Sequence, residues 1–432
     1  MITRFYNAIE QEQIDLTDKS NEIPEELLLQ EKRLLRGTHS VEPAGGLAHK
    51  LMVSKQRGTP LRIKLGLDPT SPDIHLGFAV VLRKLRQFQD LGHQVVLIIG
   101  DYTALIGDPS GRSATRPMLS QEEVAANAST YVDQLSRVLD RSRTEVRFNG
   151  EWLGKLDFAS VVGLLSRMTV AQVLQRHDFK ERFEQNHPIS LHELMYPLSQ
   201  AYDSVIIHSD IEMGGLDQTF NILAGRELQK EMGQEPQIGL FMPLLVGLDG
   251  VKKMSKSLGN YVGIAESPID MFSKLMSITD EMMRDYFVLC TDIDLDEMEA
   301  LLKDCASGVT NPRDVKRRLA QEVVTIYHSK EAASEADAEW IRVHSSRELP
   351  TEIPSAVVPA EVIEEGKVWI CKLLVSTGMA SGTGEARRLI QQGGVKLDGE
   401  KVADATQLIS VSQLEGAVLK VGAKRFVKLS VS

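Results

Sequence analysis

The chain has 432 residues, 42% apolar and 25% charged, with a formal net charge of −11. That length implies roughly two to four domains around a sizeable core, and that balance is typical of globular proteins, not of disordered or fibrous ones. Cys290, Cys305 and Cys371 stand far apart with no Cys-x-x-Cys pair, which argues against a disulfide framework or zinc site and fits a reducing cytosol.

The N-terminus carries Glu10, Glu12, Asp15 and Asp18 with few bases, so it reads as neither a signal nor a transit peptide. Residues 1–60 read as an irregular and helical lead-in, with an amphipathic helix over 25–36. Leu61, Ile63, Leu65 and Leu67 then alternate with Arg62, Lys64 and Gly66, which predicts a strand that Pro69 and Pro72 terminate. Asp73 is placed to cap a helix beginning near Ile74, and Ala79, Val80, Leu82, Leu85 and Phe88 recur behind it at helical spacing. A strand turning into a helix aims free backbone N–H groups above the sheet, an arrangement suited to phosphate, and His75 on the first turn can donate to the same anion. Gly77 has no Cβ, so a base or ribose could lie against the backbone there.

Val95 to Ile99 is a continuous apolar run, as expected of a buried parallel strand, and Ile106-Gly107-Asp108-Pro109-Ser110-Gly111 is the next loop. Strand, helix, strand in this rhythm predicts a doubly wound α/β sheet, Rossmann-like, with ligands beyond the carboxyl ends of its strands. Residues 120–200 are mostly helical in pattern. Val161, Leu164, Leu165, Met168, Val173 and Leu174 form an apolar stripe that suits core packing or a dimer face. Tyr196, Gln200 and Asp203 follow at i, i+4 and i+7, on one helix face that meets either a polar ligand or solvent. After a short run at 205–208 comes a loop, Glu212-Met213-Gly214-Gly215-Leu216-Asp217-Gln218, whose Asp217 can take ribose hydroxyls or cap the next helix. The longest apolar stretch, Ile238 to Leu248, is too short to cross a bilayer, so no membrane anchor is expected. Beyond it lies Lys252-Lys253-Met254-Ser255-Lys256-Ser257. Lysines flanking a serine on a mobile loop suit a departing pyrophosphate.

His75-Leu76-Gly77-Phe78 resembles the HIGH signature of class I aminoacyl-tRNA synthetases, and residues 253–257 match KMSKS without a mismatch. With Tyr196-x-x-x-Gln200-x-x-Asp203 and Gly214-Gly215-Leu216-Asp217-Gln218, the chain from about residue 60 resembles the bacterial-type tyrosyl-tRNA synthetase family. The resemblance implies ATP-dependent activation of L-tyrosine to tyrosyl-adenylate and transfer to the 3′-terminal adenosine of tRNA(Tyr). It implies Mg²⁺ with ATP, no tightly bound cofactor or structural metal, a homodimer and a cytoplasmic location. It assigns transition-state roles to His75, Lys253, Lys256 and Thr70, and ATP contacts to Gly77, Phe78, Asp217, Met254, Ser255 and Lys256. For tyrosine it implies Asp68, Thr103, Asp108, Tyr196, Gln200, Asp203 and Gln218, with Tyr196, Gln200 and Asp108 at the ammonium and Asp203 at the phenol. Two positions depart from the family. Phe78 replaces the second histidine of HIGH, removing a donor of a kind worth about 2–4 kcal/mol in a transition state. Lys64 stands where one branch of the family has a tyrosine that touches the phenol. A tryptophanyl-type enzyme and a catalytically weak synthetase-derived RNA-binding regulator are the alternatives.

Residues 263–345 read as a helical, anticodon-side domain. There Arg313, Lys316, Arg317 and Arg318 either meet tRNA or form an exposed face. Pro350, Pro354 and Pro359 mark a linker over 346–365. The catalytic domain is thus expected over 61–262, with its helical insertion at about 120–200. Residues 366–432 carry ten Lys or Arg against five Asp or Glu, leaving −16 on the rest. A basic appendage on an acidic body points to a polyanion. A helix over 384–392 bearing Arg387 and Arg388, followed by a strand with Lys396, resembles an S4-type RNA-binding domain.

Overall fold

The apolar runs become strands, and their burial follows their composition. In the computed structural model, which describes residues 23–68, 74–108, 123, 134–344, 353–422 and 425–431, β2 (Arg62–Leu67), β3 (Gln94–Ile99) and β6 (Ile238–Met242) are almost wholly buried. Thr70, Asp73 and residues 109–111 lie outside the described residues. Contacts divide the chain into two units, Met1–Asp337 and Ala338–Ser432.

With β1 as Ser40–Glu42, β4 as Thr144–Phe148 and β5 as Ile211–Gly215, the first unit is organised on a six-stranded sheet of order β1-β6-β5-β2-β3-β4. β2 runs parallel to both β3 and β5, β3 parallel to β4 and β5 parallel to β6. The strand order therefore reverses at β2, and the switch point of a doubly wound sheet opens beyond the carboxyl ends of β2 and β5. Helices cover both faces, which is why Lys64 is fully buried although it alternates with apolar neighbours in β2.

Several local expectations change. The lead-in contributes β1 (Ser40–Glu42), an edge strand antiparallel to β6. Within the stretch expected to be helical, β4 (Thr144–Phe148) pairs with β3. Its alternating Thr144, Val146 and Phe148 are the strand signal, and its edge position leaves Glu145 and Arg147 partly in water. The run 205–208 is the end of the helix Tyr196–Ile207, and β5 is Ile211–Gly215, so Glu212 to Gly215 form a strand where a loop was expected. Glycine suits this strand because a Cβ on Gly214 would lie 2.9 Å from Ile222 Cδ1 and 3.0 Å from Gln218 Cβ. The helix after β2 spans Leu76–Asp90 and is capped by His75 in place of Asp73. The apolar stripe divides. Leu164 and Met168 pack on a core of Leu198, Ala201, Val205, Ala224 and Leu228, while Phe158, Val162, Leu165 and Val170 are exposed.

Helices Pro268–Leu275, Met283–Cys290, Leu295–Ala306, Pro312–Tyr327 and Lys330–His344 follow. The bases of the Pro312–Tyr327 helix are paired internally: Lys316 with Asp280, Arg317 with Asp337, and Arg318 with Glu297 and Glu322. The second unit has its own core around Ile370, Leu373, Leu374, Ile390, Leu419 and Leu429. The expected linker supplies β7 (Ser355–Val358), an edge strand parallel to β8 (Arg425–Val431). Pro354 and Pro359 bracket this strand without interrupting it, as an edge position permits.

Candidate active site

A cavity of 380 Å³ opens at the switch point, lined by the ends of β2, β3 and β5, the N-terminus of the Leu76–Asp90 helix and the lysine loop. Its lining brings together Asp68, His75, Gly77, Phe78, Thr103, Asp108, Tyr196, Gln200, Asp203, Asp217, Gln218, Lys253, Met254 and Ser255. Its volume is within the usual range for small-molecule sites. Lys256 opens a short 3₁₀ turn, Lys256–Leu258, and is not among the lining residues.

One wall is a chain of hydrogen bonds. Tyr196 Oη donates to Asp68 Oδ2 (2.9 Å), and Thr103 Oγ1 donates to Asp68 Oδ1 (2.9 Å). Asn149 Nδ2 reaches both Thr103 Oγ1 (3.1 Å) and Asp203 Oδ2 (3.3 Å), and Trp152 Nε1 donates to Asp203 Oδ1 (2.8 Å). Gly100 makes the first part possible, since a Cβ there would stand 2.1 Å from Asp68 Oδ1. Burial and the neighbouring Asp108 and Asp68 push the Tyr196 hydroxyl well above its ordinary value, so it stays a donor to Asp68. Burial pushes the Asp203 carboxyl up to about 7, against the pull of Lys64, Trp152 and Asn149.

Asp108 is in the lining, but its carboxylate is shared: Oδ1 accepts from Arg176 (3.1 Å) and Oδ2 from Gln218 Nε2 (3.0 Å). Lys64 turns beneath the pocket floor to Glu212 Oε1 (2.9 Å), and so does not replace a phenol contact.

The opposite wall joins the two signature motifs. Leu76 N donates to Val262 O, Ile264 N donates to Ile74 O, and His75 bridges Gly263, so the chain leaving the lysine loop is stitched to the first turn. The Gly77 amide faces Met254 Sδ at 3.2 Å, and a Cβ on Gly77 would meet Met254 Cβ and His75 Nδ1 at 3.2 Å. The space expected for a base or ribose against Gly77 is thus filled by the loop's own methionine. His75 Nδ1 accepts from Phe78 N (3.3 Å), leaving Nε2 as the protonated nitrogen. Burial, reinforced by Lys253, pulls this imidazole down to about 4, so it acts as a neutral donor. Lys253 Nζ pairs with Asp217 Oδ2 at 3.2 Å.

Sequence reading missed Asn149, Trp152, Arg176, Glu212 and Asn260. Asn149, Trp152, Arg176 and Glu212 act through partners distant in the chain, whereas Asn260 acts within its own loop; only Glu212, a lone acid before paired glycines, gave a local signal. Asn260 ties the lysine loop: Oδ1 accepts from Ser255 N (2.8 Å), while Nδ2 donates to Asp249 Oδ2 (2.8 Å) and Lys253 O (3.2 Å). In the second unit Arg387, Arg388 and Lys396 are exposed, with Arg387 over the Trp369 ring at 5.4 Å. The helix there is Thr383–Gln391.

The family model "tRNA synthetases class I (W and Y)" matches residues 55–345, and the model "Tyrosine--tRNA ligase SYY-like C-terminal domain" matches residues 351–428. A Tyrosine--tRNA ligase of Moorella thermoacetica is 52% identical, covering 94% of this chain and 97% of its own. One from Carboxydothermus hydrogenoformans is 51% identical, covering 94% and 98%. Among solved structures, a C-terminally truncated mitochondrial tyrosyl-tRNA synthetase of Aspergillus nidulans has a TM-score of 0.60 at 19% identity, covering 78% of this chain and 97% of that one. The tyrosyl-tRNA synthetase of Archaeoglobus fulgidus, complexed with L-tyrosine, has a TM-score of 0.58 at 22% identity, covering 72% and 99%. At these identities the structural likeness is one of fold.

Proposed function

The chain belongs to the class I tRNA synthetases of the W and Y family, and from that premise we infer that the switch-point cavity is where it joins tyrosine to ATP. It activates L-tyrosine with ATP and charges tRNA. The observation that carries the placement is the buried Asp203, held by Trp152 and Asn149 across the cavity from the two signature motifs.

In this reading Asp203 accepts a hydrogen bond from the phenolic hydroxyl, and Tyr196, Gln200 and Asp68 face the ammonium. A phenylalanine ring would leave the buried Asp203 acceptor without its partner, which disfavours it. Arg176 offsets the charge of Asp108, so the ammonium meets a site that is not excessively anionic. The tyrosine carboxylate attacks the α-phosphorus of ATP, the bond to the β-phosphate oxygen breaks, and pyrophosphate leaves with the electron pair. His75 Nε2–H and the Lys253 and Lys256 ammonium groups stabilise the negative charge that develops, so catalysis rests on positioning and electrostatics. In the second step a ribose hydroxyl of the tRNA 3′-adenosine takes the tyrosyl group and AMP departs.

Among the described residues no group of three or more His, Cys, Asp or Glu is placed to hold a metal ion. Mg²⁺ is proposed to enter on the ATP phosphates, as part of the substrate. Arg387, Arg388 and Lys396 are the proposed tRNA contacts of the second unit, and the exposed Phe158, Val162, Leu165 and Val170 support a homodimer. No helix among the described residues is long and apolar enough to cross a membrane, and a cytoplasmic location is proposed.

The test is exchange of labelled pyrophosphate into ATP with tyrosine, tryptophan or phenylalanine. Exchange with tyrosine alone, lost in Asp203→Ala, supports the placement. Exchange that survives Asp203→Ala with undiminished preference for tyrosine overturns it.

A further inference from the structure

Beneath the cavity floor lies a second buried cluster, away from the reacting atoms. Glu212 in β5 is 1% exposed and Lys64 in β2 is 0% exposed. Glu212 Oε1 accepts from Lys64 Nζ (2.9 Å) and Gln200 Nε2 (3.0 Å). Its Oε2 accepts from Ser204 Oγ (2.9 Å) and Gln237 Nε2 (2.5 Å). Four donors thus fill the four lone-pair positions of one carboxylate. Lys64 is equally complete, since its three N–H bonds go to Gln200 O (2.8 Å), Ser204 Oγ (2.7 Å) and Glu212.

The neighbouring helix makes room for the cluster. Gly225 lies within Thr219–Glu231, where glycine costs about 1 kcal/mol relative to alanine. A Cβ at this position would stand 2.7 Å from Gln237 Nε2, 3.0 Å from Ser204 Oγ and 3.3 Å from Glu212 Oε2.

An ionised carboxylate only accepts hydrogen bonds, so it admits only the NH₂ end of the Gln200 amide. A flipped amide would set oxygen against oxygen. We infer that Glu212 and Lys64 are positioning residues for ammonium recognition: together they lock Gln200, which lines the cavity, with its carbonyl oxygen free for the substrate cation. An ammonium group donates and never accepts, so an amide able to rotate would present the wrong end to it. Lys64 cancels the Glu212 charge, so the floor does not become a competing counter-ion. It also favours the ionised form of Asp203, which serves the phenol end of the same ligand. This inference rests on the reading of the cavity as the tyrosine site.

The experiment uses the full-length protein and three ligands: tyrosine, tyramine and 3-(4-hydroxyphenyl)propionate, which lacks the ammonium. The variant Lys64→Met with Glu212→Leu removes both charges together and avoids leaving either buried alone. Calorimetric titration is expected to show tyramine affinity falling about tenfold or more relative to 3-(4-hydroxyphenyl)propionate, the loss of one charge-assisted hydrogen bond. Taking the ratio cancels any effect on the phenol end. In a Gln200→Ala background the same pair of substitutions is expected to leave that ratio unchanged, because no amide remains to orient. An equal loss for both ligands, or a change in ratio that persists in the Gln200→Ala background, overturns the inference. If that double variant does not fold, the less disruptive pair Lys64→Met with Glu212→Gln, which also removes both charges, is titrated in its place under the same criterion. Failure of the wild type to bind tyrosine in preference to phenylalanine overturns the underlying reading instead.

Discussion

The two ends of the cavity are built on opposite principles. At the tyrosine end, Tyr196, Gln200 and Asp203 are all under 10% exposed, and each is held by a side-chain hydrogen bond: Tyr196 to Asp68, Gln200 to Glu212 in β5, and Asp203 to Trp152 and Asn149. At the lysine end, the Lys253 side chain is 46% exposed and keeps one ion pair at 3.2 Å, and Met254 sits over the Gly77 amide. Recognition of one amino acid among twenty needs groups that cannot adjust to a competitor, which favours a rigid, fully bonded wall. Neutralising a departing polyphosphate needs charge that follows the leaving group, which favours a loop with few ties.

Substitutions at each end should therefore fail in different ways. Lys253→Ala is expected to have the largest effect, lowering the rate of pyrophosphate exchange about 10²- to 10³-fold. Tyrosine affinity by calorimetry should stay within about twofold. A parallel collapse of affinity would erase the proposed division. Asp203→Asn comes next. Removing the charged acceptor should weaken tyrosine binding about 10- to 100-fold and narrow the tyrosine-to-phenylalanine preference by a similar factor. A loss confined to kcat would place Asp203 at the wrong end.

The pH dependence sharpens the same contrast. Burial raises the Asp203 carboxyl from 3.8 to about 7. Between those values the folded protein holds more protons than the unfolded one, so the contribution of Asp203 to stability is present below about pH 4 and is lost as pH rises through about 7. The phenol donates to the ionised form, so tyrosine affinity should rise about tenfold from about pH 6 to about pH 8. Asp203→Asn should flatten that slope. His75, lowered to about 4, is already neutral across this range and should add no slope of its own.

The two ends were also unequally legible in the sequence. The lysine loop and the His75 turn are contiguous motifs, and the order of strands around them follows from short apolar runs separated by helices. The tyrosine wall depends on partners that lie far apart. Asn149 and Trp152 are 54 and 51 residues from Asp203, and Arg176 is 68 from Asp108. Nothing local marks such pairs. Lys64 drew notice as a departure from a family pattern, but its burial against Glu212 follows from both sheet faces being covered, which alternation along one strand does not reveal. Likewise the paired glycines of β5 suggest, from sequence alone, a loop whose backbone approaches a ligand. Here they let a central strand and its following helix approach closely.

The smallest expected effect tests whether the loop is free or lightly clasped. Asn260 is 5% exposed, and its side chain ties Ser255, Lys253 and Asp249, holding the lysine loop where Met254 covers Gly77. Gly247 leaves room for this clasp, since a Cβ there would lie 2.3 Å from Asn260 Nδ2. Asn260→Ala removes ties that are each worth about 1 kcal/mol, so the loop should populate misaligned positions and kcat for activation should fall about three- to tenfold. Tyrosine affinity should not change, because no member of the clasp reaches Tyr196, Gln200 or Asp203. Asn260→Asp keeps the acceptor for Ser255 N but sets a carboxylate against Asp249, which Val251 N, Asn260 and Lys252 N hold below its usual range. It should therefore be slower than Asn260→Ala. The reverse order would show that Asn260 supports the loop by packing alone.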